Sequence, residues 1–217
     1  MISIFKSRNN NNAFEHIMDR ALLLYEKRSI YGIINLQRIL IRPLQSEFLA
    51  TPFKTDSHIR SRYFSYEDFG ISYLHHINMT FYDFLNANRI KDEVQILNTT
   101  KDVIIPSIWN HERLTNTALG SSFSTWKQNN NHQVIWVHPL NFGWSNNGHH
   151  SIANAIITGI GKIKPTQIYN ISSLYPFVVF DGLNFIYQDS KEVIGTPRYE
   201  VIGWLYELGR LLDNLET

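Results

Sequence analysis

Apolar residues recur at helical spacing through Phe14, Ile17, Ala21, Leu22, Leu24 and Tyr25, which predicts a first helix ending near Lys27-Arg28. The pattern resumes from Ile30 to Phe48 through Ile33, Ile34, Leu36, Ile39 and Leu40, and Pro43 is expected to kink or end this second helix near Arg42. Thr51-Pro52 closes the helical pair. The polar stretch Lys54 to Arg62 predicts an exposed loop. Ser65 with Asp68 imitates a capping box, and Phe69, Tyr73, Ile77, Phe81 and Phe84 then predict a long helix reaching about Asn88. His75 and His76 fall inside it, where neighbours point about 100° apart and cannot share a metal.

Near residue 92 the pattern changes from helical to mixed. Val94 to Leu97 and Val103 to Ile105 read as strands, and Asn110 opens a helix carried by Leu114, Leu119, Phe123 and Trp126 to Lys127. Val134 to His138 is β-rich, Phe142 to Asn146 forms a short second strand, and Ile152, Ala155, Ile156 and Ile160 return to helical spacing after a bend at Gly148. Ser151 suits the N-cap of that helix, and Gly159 with Gly161 its stop. Thr166 to Ile171 reads as a further strand. Phe177 to Phe180 and Phe185 to Tyr187 flank Asp181-Gly182, a hairpin signal that makes Asp181 a turn former rather than a catalytic acid. Pro197 precedes a last amphipathic helix whose buried face runs from Val201 to Leu215. The expectation is an α+β (mixed α/β) domain over residues 92–217, preceded by a helical subdomain over 1–91.

Composition narrows the chemistry. With 217 residues and 43% apolar content the chain can bury a substantial core, and 20 basic against 19 acidic residues leave no global pull toward nucleic acid or membrane. Anion binding must therefore be local. No cysteine is present, which excludes disulfides, thiolate metal sites and cysteine nucleophiles. The start MISIFKSRNNNN lacks the apolar core of a signal peptide, and no apolar run reaches the roughly 20 residues of a membrane helix, so a cytoplasmic protein is expected. The five tryptophans fall within apolar patterns and read as core.

The bend carries the candidate chemistry. A strand feeding through glycine into a helix leaves the first N–H groups of that helix unpaired at the positive end of its dipole, which suits an anion. Asn147, Gly148, His149, His150 and Ser151 would form this site, with protonated imidazoles strengthening it below neutral pH. Arg113 could grip a phosphate bidentately. His150, His149 or Glu112 could serve as general base, although no acidic pair adjoins the bend. Zinc on His149, His150 and one of His111, His132 or His138 is the weaker alternative, because vicinal histidines seldom both ligate without strain.

The order of apolar strand, short turn, second strand, Gly-His-His, alanine-bearing helix, glycine and Lys-Pro resembles the ParB/sulfiredoxin-like superfamily over about residues 100 to 172. There, the ParB-like members carry Asp-Gly-His-His-Arg or Gly-Glu-Arg-Arg at the bend. The resemblance implies a small mixed sheet with helices and a turn that holds nucleotide phosphates, in members that are CTP-hydrolysing clamps, nucleases or nucleotide-dependent kinases. It implies a nucleoside triphosphate or diphosphate with magnesium as cofactor. Gly148, His149, His150 and Ala155 match; Asn147 stands for the family's acid and Ser151 for its arginine. The turn also resembles an uncharacterised bacterial family with Gly-x-His-Ser-Ile in this place. Two functions follow as expectations. One is binding of a nucleotide or phosphorylated small molecule, with phosphotransfer or phosphodiester hydrolysis. The other is an interaction module that lost catalysis and binds a protein partner, as an immunity, antitoxin or phage-associated protein would.

Overall fold

A computed structural model describes residues 10–54, 63–91, 94–120 and 126–216. Helices α1 (Asn10–Glu26) and α2 (Ile30–Lys54) form the expected pair. α2 nevertheless continues past Pro43 instead of ending there. Pro43 lies on the exposed face, so the Ile39 carbonyl that loses its helical donor can turn to water. All but the first residue of the expected loop Lys54 to Arg62 lies outside the described residues, as do Met1 to Asn9 and Phe123.

The long helix expected from Phe69 to Asn88 does not form. Ser65 and Asp68 do make a reciprocal capping box, but it caps only a 3-10 turn, Tyr66–Phe69, which Gly70 ends in the left-handed conformation at φ +73°. The chain then makes a hairpin, β1 (Tyr73–Leu74) with β2 (Met79–Thr80), around Asn78 at φ +53°. Only Phe81–Ala87 is helical (α3), and His75-His76 sits in the hairpin's 3-10 turn. Apolar spacing was the same for both outcomes; the two left-handed residues decide between them.

Five strands make the central sheet, in the order β3 (Arg89–Ile90), β9 (Gln167–Asn170), β6 (Gln133–His138), β7 (Phe142–Asn147), β5 (Val103–Ile105). β6 pairs antiparallel with β7 and parallel with β9, and β5 pairs parallel with β7. Strand alternation divides the core. Ile135, Val137, Phe142, Trp144, Val103 and Ile105 face α1, α2 and the last helix, α6 (Glu200–Glu216). Val134, Trp136, Ile104 and Ile168 face α5 (His149–Thr158) and the two-stranded pair β4 (Leu97–Asn98) with β8 (Lys162–Ile163). The edge of β5 is covered by α2, where buried Gln45 donates its amide to the Ile104 carbonyl at 2.9 Å.

A three-stranded sheet, β10 (Val178–Phe180), β11 (Phe185–Tyr187) and β12 (Val193–Gly195), packs beside α6. Asp181 forms its first turn as expected, its Oδ1 accepting the N–H groups of Leu183 (2.9 Å) and Asn184 (2.7 Å). The fold is mixed α+β. The boundary drawn near residue 92 falls inside a shared core, in which Ile33, Ile41 and Phe48 of α2 pack with Phe142 and Leu205, and β3 joins the sheet from the N-terminal side.

Candidate functional site at the starts of two helices

β7 leads through Gly148 into α5, as the sequence predicts. Gly148, at φ +74°, is itself the N-cap and supplies no side-chain bond. Ser151 is therefore not the cap. It lies inside the first turn, where its hydroxyl and carbonyl oxygens both accept the Trp126 indole N–H at 3.0 Å. Among the described residues no histidine or carboxylate reaches that hydroxyl to activate it as a nucleophile. Asn147 closes the bend from outside: its Oδ1 accepts the Gly148 N–H at 2.8 Å and its Nδ2 donates to Asn131.

α4 (His111–Gly120) begins beside α5. Asn110 caps it, Oδ1 accepting the Arg113 N–H at 2.7 Å. The carbonyl of Asn110 also lies 3.1 Å from His150 Nε2, so the cap of one helix meets the second residue of the other. Leu114 and Ala153 pack between the two helices with Ile108. Two helix starts, each with the positive end of its dipole, thus converge at one place.

Both histidines are half-buried. His149 Nδ1 lies 2.6 Å from the hydroxyl of Ser145, which is 1% exposed, and the Tyr63 ring meets the imidazole edge-on at 5.5 Å. Ser145 Oγ also accepts the Ser107 N–H at 3.3 Å. Burial, with a smaller contribution from His150, pushes the pKa of His149 down to about 4. His150 packs edge-on against Trp109 at 4.9 Å. Its pKa is also lowered, by burial and then by the Arg113 charge, against the opposing bond to Asn110. Because a carbonyl only accepts, His150 donates from Nε2 and presents Nδ1 as an acceptor. Burial thus works against the expected histidine cations just below neutral pH, most strongly at His149.

Arg113 extends over the Trp109 ring, 5.1 Å from its centroid. His111, the first residue of α4, lies 6.2 Å from the Phe53 ring. Glu112 is exposed, and among the described residues no hydrogen bond or ion pair brings it to either histidine. No three of His, Cys, Asp or Glu converge as a metal requires among the described residues, which removes support from the zinc alternative.

The sequence reading missed the walls of this place. Phe53, Tyr63 and Trp109 are 60%, 53% and 44% exposed, and Trp109 is not core as expected; Trp136, Trp144 and Trp204 are. Asn110 was legible as a helix cap by residue type, and Ser145 by its position four residues before His149. Trp126 and Tyr63 carry no such local signal.

The geometry defines an α+β protein with a polar bend set beneath a partly exposed aromatic and arginine rim. It belongs to a family of unknown function, DUF6710, whose model matches residues 1–217. No curated protein and no solved structure matches the chain. Among the described residues no helix is long and apolar enough to cross a membrane.

Proposed function

We propose that this protein binds a phosphate-bearing ligand, a nucleotide or phosphorylated small molecule, at the joined starts of α4 and α5. The observation that carries the reading is the meeting of the two helix starts at His150 and Asn110, with Arg113 and the exposed rings of Tyr63 and Trp109 around it. Main-chain donors and a guanidinium suit the phosphate, and an aromatic face suits a base. This is the use that the ParB-like resemblance implies for the bend, with Arg113 in place of the arginine missing at Ser151. The proposal is confined to binding: Ser151 is engaged by Trp126, and neither histidine is paired with a carboxylate among the described residues.

Titration with CTP, ATP and ADP, with and without magnesium, tests it through the melting temperature, which a ligand of the folded state raises. The shift should shrink in Arg113→Ala and in Trp109→Ala. Absence of any shift refutes the reading. A second reading, a protein-binding module of the immunity, antitoxin or phage-associated kind, is favoured by the same exposed Phe53, Tyr63, Trp109 and Arg113, residue types that anchor interfaces. It takes over if nucleotides leave the melting temperature unchanged.

A further inference from the structure

A cavity of about 300 Å³ lies between the β1–β2 hairpin, α3 and the segment leading into β10. It shares no residue with the starts of α4 and α5. Leu74, Met79, Phe84, Leu174, Phe177 and Val178 supply walls, and no Lys, Arg, Asp or Glu lines it. The hairpin wall is held by the Tyr73–Thr80 and Leu74–Met79 pairs and by the Tyr73 hydroxyl, which donates to Asn78 Oδ1 at 2.6 Å.

Among the described residues the polar groups on the lining are engaged with one another, apart from the Tyr187 hydroxyl hydrogen and the His76 ring nitrogens. Ser173 Oγ donates to Asn88 Oδ1 at 3.0 Å, and Asn88 Nδ2 donates to the Phe84 carbonyl at 2.9 Å. The Tyr187 hydroxyl accepts the His76 main-chain N–H at 3.2 Å, and among the described residues no acceptor is found for its own hydrogen. A mostly apolar lining with no charged side chain favours an uncharged molecule, and the Tyr187 hydroxyl offers a donor to an acceptor on it.

Size and lining narrow the class further. A cavity of about 150 Å³ lined by aliphatic and aromatic side chains holds benzene, so about twice that volume suits two fused rings. His76 packs against Phe177 with ring centroids 4.3 Å apart, and Phe84, Tyr187 and the Met79 thioether add ring faces, edges and a soft sulfur. Such a lining gains more from a ring than from an alkyl chain. We propose that this cavity binds a small uncharged aromatic molecule of two fused rings whose single hydrogen-bond acceptor takes the Tyr187 hydroxyl proton.

The probe is 2-naphthol, followed by its own fluorescence and by the melting temperature of the full chain. Saturable binding at one site is expected. Met79→Trp, which fills the chamber, should weaken it at least tenfold. If that variant does not fold, Ala87→Trp on the exposed rim replaces it. Tyr187→Phe should weaken binding roughly fivefold to tenfold, the value of one neutral hydrogen bond, and Arg113→Ala should leave it unchanged. No saturation, undiminished binding in the filled variant, or undiminished binding in Tyr187→Phe overturns the proposal. So does displacement by n-decanol at a lower concentration than by naphthalene, which would make the occupant an alkyl chain.

Discussion

Replacing Gly148 by alanine tests whether the bend between β7 and α5 is built as described. Two costs add. At φ +74° an L side chain is strained by roughly 1–2 kcal/mol relative to glycine. The new Cβ would also stand 2.6 Å from the Asn131 carbonyl oxygen and 2.8 Å from His132 Cδ2. The first of these atoms is backbone in the turn before β6, so the clash cannot be relieved by rotating a side chain, and overpacking of this kind costs about 1–3 kcal/mol. Alanine narrows the unfolded ensemble, which returns roughly 0.4–1 kcal/mol. The expected net loss is roughly 2–3 kcal/mol, or about 4–12 °C in melting temperature for a domain of this size.

Gly159→Ala is the internal control. Gly159 ends the same helix at φ +69°, but an added Cβ meets only Thr100 Cγ2, at 3.0 Å, a methyl that can move. That variant carries the backbone strain without the backbone collision, so it should lose about 1 kcal/mol or less after the unfolded-state gain. Urea denaturation of both proteins measures the difference. Equal losses would show that Asn131 does not press on the bend, and the description of that corner would fail.

Two further outcomes follow from the same corner. Ser145→Ala removes the acceptor of the Ser107 N–H and the partner of His149 Nδ1 together, so it should cost about 1–3 kcal/mol in urea denaturation; a loss below roughly 0.5 kcal/mol would mean that this pair is not buried. His149 links stability to pH: the unfolded ring takes up a proton near its ordinary 6.5, whereas the folded ring resists until about 4. Unfolding therefore binds a proton between those values, and this contribution to stability is present above 6.5 and declines as pH falls through the window. An NMR titration placing the folded His149 ring near 6.5 would contradict this.

Much of the fold could be read because its signals are local. Helical spacing places α1 and α6, and the Asp181-Gly182 turn between two β-rich runs gives the β10–β11 hairpin. The failures are also physical. Between Phe69 and Asn88 the apolar spacing fits a helix, yet Gly70 and Asn78 adopt left-handed conformations that no helix admits. At Pro43 the rule against proline fails because the residue faces water, and only the tertiary position of α2 determines which face that is.

The candidate site divides along the same line, and the division bears on function. The order strand, glycine, helix is contained in a few consecutive residues, so Gly148 could be placed as the bend from the sequence. What the bend offers a ligand depends on residues far along the chain: Tyr63 beside His149, Asn110 under His150, and Trp126 on Ser151. Burial turns the cation expected at His149 into a neutral ring, and Trp126 takes the hydroxyl expected as a cap. Positive charge at the bend then comes from Arg113 and the helix ends. On the phosphate reading, His149 should add nothing to affinity near neutral pH and contribute only as its ring gains a proton near pH 4. A rise in affinity between pH 7 and 6 that disappears in His149→Ala would show that ring charged there, against its burial beside Ser145.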